Sequence, residues 1–325
     1  MTRNRMLALT ALCVSAFSVT SFGQSAPATV LAVDLENIVI YLQDTGDATK
    51  YATDPKIVTP PAIRNFVPVI WLADIVAVNG KPAKGTWTVR GTLLSRGTAP
   101  GDAIADSGAS FFFDWVFDIR QEDNTQVGTI MASGWGGAAK PPGSPSLFLQ
   151  ANMAVTGGTG AFLGVRGQGA QGGLSIGGRL ASMNEDPAFR RINGGGARRY
   201  VFHLLPMERP EIANVSHSDF TPVNDAAPAR ADEILILAAR GLGPTRPGVD
   251  PGAPFPSAPP LQVVNSPVEL TVGGTAVEIV NQIGWPGQQN LYRVDFRMPR
   301  GAGSSAALQL KAAWITGPAF TIPVR

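Results

Sequence analysis

Cysteine, histidine and charge are all scarce in this chain, and each scarcity removes a class of function. Cys13 is the only cysteine among 325 residues, and the two histidines are His203 and His217. A His/Cys metal site cannot be assembled from that set, and no disulfide scaffold is available. Only 15% of residues are charged, with 26 Lys and Arg against 24 Asp and Glu. No apolar run reaches the ~20 residues of a membrane-spanning helix. Without a basic field, nucleic acid is not an expected partner.

The longest apolar run lies at the start. Arg3 and Arg5 precede a stretch from Met6 to Val19, and Ser21-Phe22-Gly23 follows. Charge, a short apolar core and small residues, in that order, predict a cleavable secretory signal at 1–23 and a protein released outside the cytoplasm. Removing Arg3 and Arg5 leaves 24 basic residues facing 24 acidic ones, a net charge of zero. The single cysteine leaves with the signal, so buried area alone must hold the mature chain together.

What the chain does have is glycine and proline, 37 and 27 of them, with 44% hydrophobic residues spread along its length. That mixture predicts short strands joined by tight turns. About eight apolar segments occupy 28–205: residues 30–42, 66–78, 86–94, 110–120, 127–135, 146–155, 165–171 and 198–205. Eight strands suffice to close a small barrel. Leu-Pro-Met-Glu-Arg-Pro at 205–210 marks a boundary. About seven short strands in 206–325 then predict an immunoglobulin-like sandwich. The five prolines from Pro251 to Pro260 predict an extended surface loop there. The fold class is therefore all-β, a barrel followed by a sandwich.

Segment 110–120 carries the strongest pattern. Phe111, Phe113, Trp115, Phe117 and Ile119 share one face, while Asp114, Asp118 and Arg120 share the other with Phe112 and Val116. Two readings stand: aromatic core with a solvated charged face, or side chains lining a lumen or subunit interface. His203, between Phe202 and Leu204, reads as a strand histidine with a hydrogen-bond partner. Thr156-Gly157-Gly158-Thr159-Gly160-Ala161-Phe162 lacks the Lys-Ser/Thr ending of a phosphate loop and reads as a tight hairpin.

Residues 153–167, with Gly157-Gly158-Thr159-Gly160-Ala161-Phe162 and then Val165-Arg166-Gly167, resemble the signature hairpin of the dirigent and allene oxide cyclase barrels, and 127–134 fits the strand before it. The resemblance implies an eight-stranded barrel, often trimeric, with an apolar lumen and no cofactor. It acts by enforcing conformation, either on radicals about to couple or on an epoxide about to cyclise. Arg166 matches the family's arginine; a salt bridge to a neighbouring strand is the other role open to it. Segments 233–245, 267–274, 291–299 and 317–325 resemble the C-terminal domain of many secreted acidobacterial proteins, which is similar to IPT/TIG immunoglobulin-like folds and has no assigned catalysis.

The leading expectation is a secreted barrel that binds a small apolar or aromatic molecule. Phe113, Trp115, Phe117 and Trp135 are the candidate lumen aromatics, with Arg166 and Asp114 or Asp118 as polar orienters. A cyclase or isomerase is the second reading, since no acid and base pair is evident and catalytic residues remain unassigned. A structural or adhesive extracellular protein is the third. No metal or cofactor is expected, and a homotrimer through the barrel is the implied assembly.

Overall fold

The computed structural model describes residues 28–42, 67–93, 111–139 and 143–325; the expected signal at 1–23 lies outside them. Ten strands build the first sheet: β1 (Thr29–Leu42), β2 (Val67–Val78), β3 (Lys81–Pro82), β4 (Lys84–Leu93), β5 (Phe111–Arg120), β6 (Gln126–Ala139), β7 (Gln150–Gly160), β8 (Arg166–Ile176), β9 (Arg179–Ser182) and β10 (Gly196–Leu205). Eight of them, in the order β1-β2-β4-β5-β6-β7-β8-β10, close back on β1 with every pairing antiparallel. Each expected segment of 28–205 corresponds to one of these eight. Strand β3 pairs with the end of β2, and β9 runs parallel to β1 outside the closed ring.

Alternation decides what faces inward. On β5 the burial pattern rises and falls with period two, placing Phe113, Trp115, Phe117 and Ile119 inside and Phe112, Asp114, Val116 and Asp118 outside. On β1 a bulge at Asn37, which takes a left-handed φ of 57°, resets the phase. Leu31, Val33 and Leu35 point inward before it, and Ile38 and Ile40 after it.

The interior is filled by matching large side chains to small ones across neighbouring strands. Phe113 lies over Gly91 of β4 and Gly136 of β6, where added β-carbons would approach its ring to 2.0 and 2.3 Å. Strand β6 in consequence presents Gly128, Ile130, Ala132, Gly134 and Gly136 inward and turns Met131 and Trp135 out.

After the Pro206–Pro210 link come β11 (Glu211–Ser216), β12 (Ile234–Arg240), β13 (Thr245–Arg246), β14 (Val263–Val264), β15 (Val268–Val272), β16 (Thr275–Ala276), β17 (Ile279–Gly284), β18 (Tyr292–Arg297), β19 (Ser305–Ala312) and β20 (Ile315–Pro323). They form a six-stranded sheet, β11-β12-β18-β17-β14-β13, and a four-stranded one, β16-β15-β19-β20. Leu235, Leu237, Val294 and Phe296 of the first share one core with Leu270, Leu308, Leu310 and Ile322 of the second, which makes this half a sandwich. The proline-rich loop is flanked by two short strands that its sequence does not predict, β13 and β14. Buried Gln262 pins that region, accepting from Thr245 Oγ1 at 3.1 Å and from the Gly248 N–H at 2.7 Å.

The halves meet at one barrel end. The β19–β20 turn inserts Ala313, Trp314 and Ile315 into the barrel's own core cluster. Around it, Gln121 Nε2 donates to the Asn265 carbonyl at 2.6 Å, Arg209 to the Thr316 carbonyl at 3.1 Å, and Lys81 pairs with Glu269 at 2.6 Å. At the opposite end β1 and β4 run out at Leu42 and Leu93, and β2 and β5 begin at Val67 and Phe111.

Candidate functional site

The middle of the barrel is a packed aromatic stack. Trp71 and Trp87 meet edge to face at 6.1 Å, Trp87 and Tyr200 at 5.5 Å, and Phe117 meets Tyr200 and Phe202 at 5.5 and 4.9 Å. Trp87 and Phe117 are wholly buried. These rings contact one another at the distances of a protein core, so what the lumen offers a ligand lies toward its Phe111 end.

That end holds a group of a different kind. Strand β10 carries Arg198, Tyr200, Phe202 and Leu204 opposite Leu35, Val33, Leu31 and Thr29 of β1, so all four point inward. The Arg198 guanidinium lies over the Trp71 ring, 4.8 Å from its centroid. Trp71 also packs against Phe111 at 5.8 Å and Phe113 at 5.2 Å, and Phe111 stacks on Phe113 at 4.9 Å. Phe111 and Arg198 are half-buried, whereas Trp71, Phe113 and Tyr200 are buried. Burial raises the Tyr200 phenol above its ordinary pKa, against the opposing effects of the Arg198 charge and of hydrogen bonds with Arg198 and Trp115. Beside it, buried Gln171 of β8, which pairs with Tyr200, accepts a hydrogen bond from Gln150 Nε2 at 2.9 Å. The result is an aromatic cluster with a cation stacked against it.

The residues singled out from sequence divide between the two faces. Phe113, Trp115 and Phe117 point into the lumen. The lumen placement of the other four is corrected. Trp135 is 42% exposed on the outer face and meets equally exposed Phe112 edge to face at 5.6 Å, while the inward position after it is Gly136, where a β-carbon would collide with the Phe113 ring. Asp114 points outward and pairs with Arg90 at 3.0 Å. Asp118, also outward, pairs with Arg120 at 3.1 Å and accepts from Gln126 Nε2 at 3.2 Å. Arg166 is exposed; it donates to the Val165 carbonyl at 3.0 Å and forms no salt bridge among the described residues. His203 lies against Phe148 at 5.3 Å, and its Nε2 finds no hydrogen-bond partner.

Arg198 was missed although the signal was in the sequence. In 198–205 the inward phase reads Arg, Tyr, Phe, Leu, and a lone cation in phase with three large apolar residues marks a charge directed into a core.

Two concavities lie elsewhere. A cleft of about 700 Å3 runs between the barrel turn at Gly160–Val165, the link at Met207 and Glu208, and the sandwich at Asp250, Phe255 and Tyr292. Burial pushes the Tyr292 phenol there up to about 12, while its hydroxyl donates to the Gly243 carbonyl at 2.6 Å. An outer groove of about 780 Å3 is lined by Asn37, Asp74, Lys84, Asp118, Arg120, Glu122 and Arg191 among others. Beside it Asp74 binds Arg190 and Arg191, each at 2.7 Å, and accepts from Asn37 at 3.0 Å. Burial would raise this carboxyl's pKa, but those hydrogen bonds outweigh it and hold the value below 3.8.

Among the described residues no cluster of three or more His, Cys, Asp or Glu is placed to hold a metal ion, and no helix is long and apolar enough to cross a membrane. Compared with protein-family models, with curated proteins and with solved structures, the chain shows no significant match.

Proposed function

We propose that this chain is a secreted binding protein that takes up a small apolar or aromatic molecule at the Phe111 end of its barrel. The observation that carries the reading is this cluster: a guanidinium stacked on Trp71 beside Phe111 and Tyr200, at the end of the barrel away from Trp314. Aromatic walls with a few convergent polar groups are what small-molecule sites are made of. In this reading Phe113 and Trp115 form the floor, and Arg198 takes the orienting role first assigned to Arg166, Asp114 or Asp118.

Resemblance of 153–167 to the dirigent and allene oxide cyclase hairpin supports the same kind of function, in which a barrel constrains a reactive guest. Binding is favoured over proton transfer because Arg198 and Tyr200 bring hydrogen-bond donors to this end of the lumen, and no carboxylate or imidazole base faces them among the described residues. A trimer of barrels is part of the proposal. The same resemblance supports it. The packed midsection favours a second reading, in which the barrel is a structural or adhesive module.

The test is a titration of the secreted protein with the neutral fluorophore N-phenylnaphthylamine. The proposal expects saturable enhancement, weakened at least about tenfold in Phe111→Ser and unchanged in Trp135→Ser on the outer face and Leu163→Ser in the interdomain cleft. Enhancement lost in Leu163→Ser and kept in Phe111→Ser moves the site to the cleft. No saturable enhancement in any form favours the structural reading.

A further inference from the structure

We propose that Arg198 makes the Phe111 end of the lumen a carboxylate-recognition site, so that its ligand is an aromatic or apolar acid rather than a neutral hydrocarbon. The inference rests on the reading that this end binds a small molecule, and adds the charge of that molecule.

Two adjacent arginines on β10 make the contrast. Arg199 points outward to Asp34 and is neutralised by two hydrogen bonds, Nε to Oδ1 at 2.6 Å and Nη2 to Oδ2 at 2.8 Å. Arg198 points inward, and no carboxylate pairs with it among the described residues. Its Nε is buried without an acceptor, and so is Nε1 of the Trp71 indole it covers. This end therefore has donors in excess: Arg198 with up to five N–H groups, of which Tyr200 engages one, and the Trp71 indole with one. A cation withdrawn from water is stabilised in part by the ring beneath it and by its hydrogen bond with the Tyr200 hydroxyl, and Nε is still left without an acceptor.

The group that answers this edge is planar, anionic and rich in acceptors. A carboxylate fits it by two parallel N–H···O bonds, strengthened where water is excluded. A neutral hydroxyl offers one acceptor lobe to the same edge and no charge. An acid whose ring stacks on Phe111 while its carboxylate meets Arg198 satisfies both halves of the cluster.

Isothermal titration with a matched pair, naphthoate and naphthalenemethanol, separates the two claims. For the secreted wild-type protein naphthoate is expected to bind at least about tenfold more tightly than the alcohol. The preference should vanish in Arg198→Met, persist in part in Arg198→Lys, and fall away below about pH 4 as the probe takes up its proton. Because the wild-type comparison needs no variant, a misfolded Arg198→Met does not blunt the test. Equal affinities for the pair, or a naphthoate affinity indifferent to Arg198→Met, overturn the carboxylate assignment and leave the binding reading standing. Binding of neither probe overturns both.

Discussion

Phe113 lies in van der Waals contact with two glycines, and that arrangement explains much of the barrel residue by residue. Where one strand contributes a large ring, its neighbours contribute Gly or Ala, as Gly91 and Gly136 do for Phe113 and Gly169 does for Phe202. Size alone therefore misleads. Trp135 is large and aromatic yet lies outside, while the inward phase of its strand is taken by residues small enough to admit Phe113. Truncating a ring at the centre of the stack leaves a cavity its rigid neighbours cannot close. Trp87→Ala is expected to cost about 3–5 kcal/mol in denaturant unfolding, while Trp135→Ser on the outer face, which gives up one aromatic pair, should cost no more than about 1–2 kcal/mol. Equal losses at the two positions would contradict the assigned phases. The phase of β5 was legible because five apolar residues alternate there without interruption, and Arg198 was legible by the same rule applied to 198–205. Asp114 and Asp118 were legible only as far as sharing a face, since alternation does not say which face is inside.

At the scale of elements, the eight barrel strands could be read because each is bounded by Gly, Pro or Asn and holds a β-branched or aromatic run. Strands β13 and β14 could not, for each has two residues and owes its place to buried Gln262 rather than to any local pattern. The Gly157–Gly160 cluster does open a hairpin, but its glycines lie within β7 and the turn itself is Ala161–Gly164. At Gly158 an added β-carbon would lie 2.5 Å from the Thr129 and Phe162 carbonyl oxygens, so the glycine serves close chain approach. The short helix Arg190–Asn193 is held on the outside of β2 by Asp74. Its carboxyl has a folded pKa below its ordinary 3.8, so the stability it contributes is present above that value and lost as pH falls through the lower folded one. Asp74→Asn leaves the buried Arg190 charge uncompensated and should destabilise by about 3–5 kcal/mol. Acid unfolding should begin at higher pH in the wild type than in this variant once each is referred to its own stability at neutral pH. An Asp74→Asn protein as stable as wild type would remove Asp74 from this role.

The whole molecule is a barrel stoppered by its neighbour. Trp314, on the β19–β20 turn of the sandwich, belongs to the barrel's core cluster, and the Lys81, Gln121 and Arg209 contacts surround it. Barrel and sandwich are thus expected to unfold in one transition, and Trp314→Ala to separate it into two with the barrel melting first; a single unshifted transition would show that the halves are independent. The same stopper gives the barrel two unlike ends, one closed by Trp314 and one bearing Phe111 and Arg198. The most direct measurement is a crystal structure of the protein grown with naphthoate. The account predicts density for the ring against Phe111 and for the carboxylate within hydrogen-bond distance of Arg198. Density confined to the cleft beside Met207 and Tyr292, or a barrel end filled by the chain's own side chains with Arg198 already paired, would contradict it.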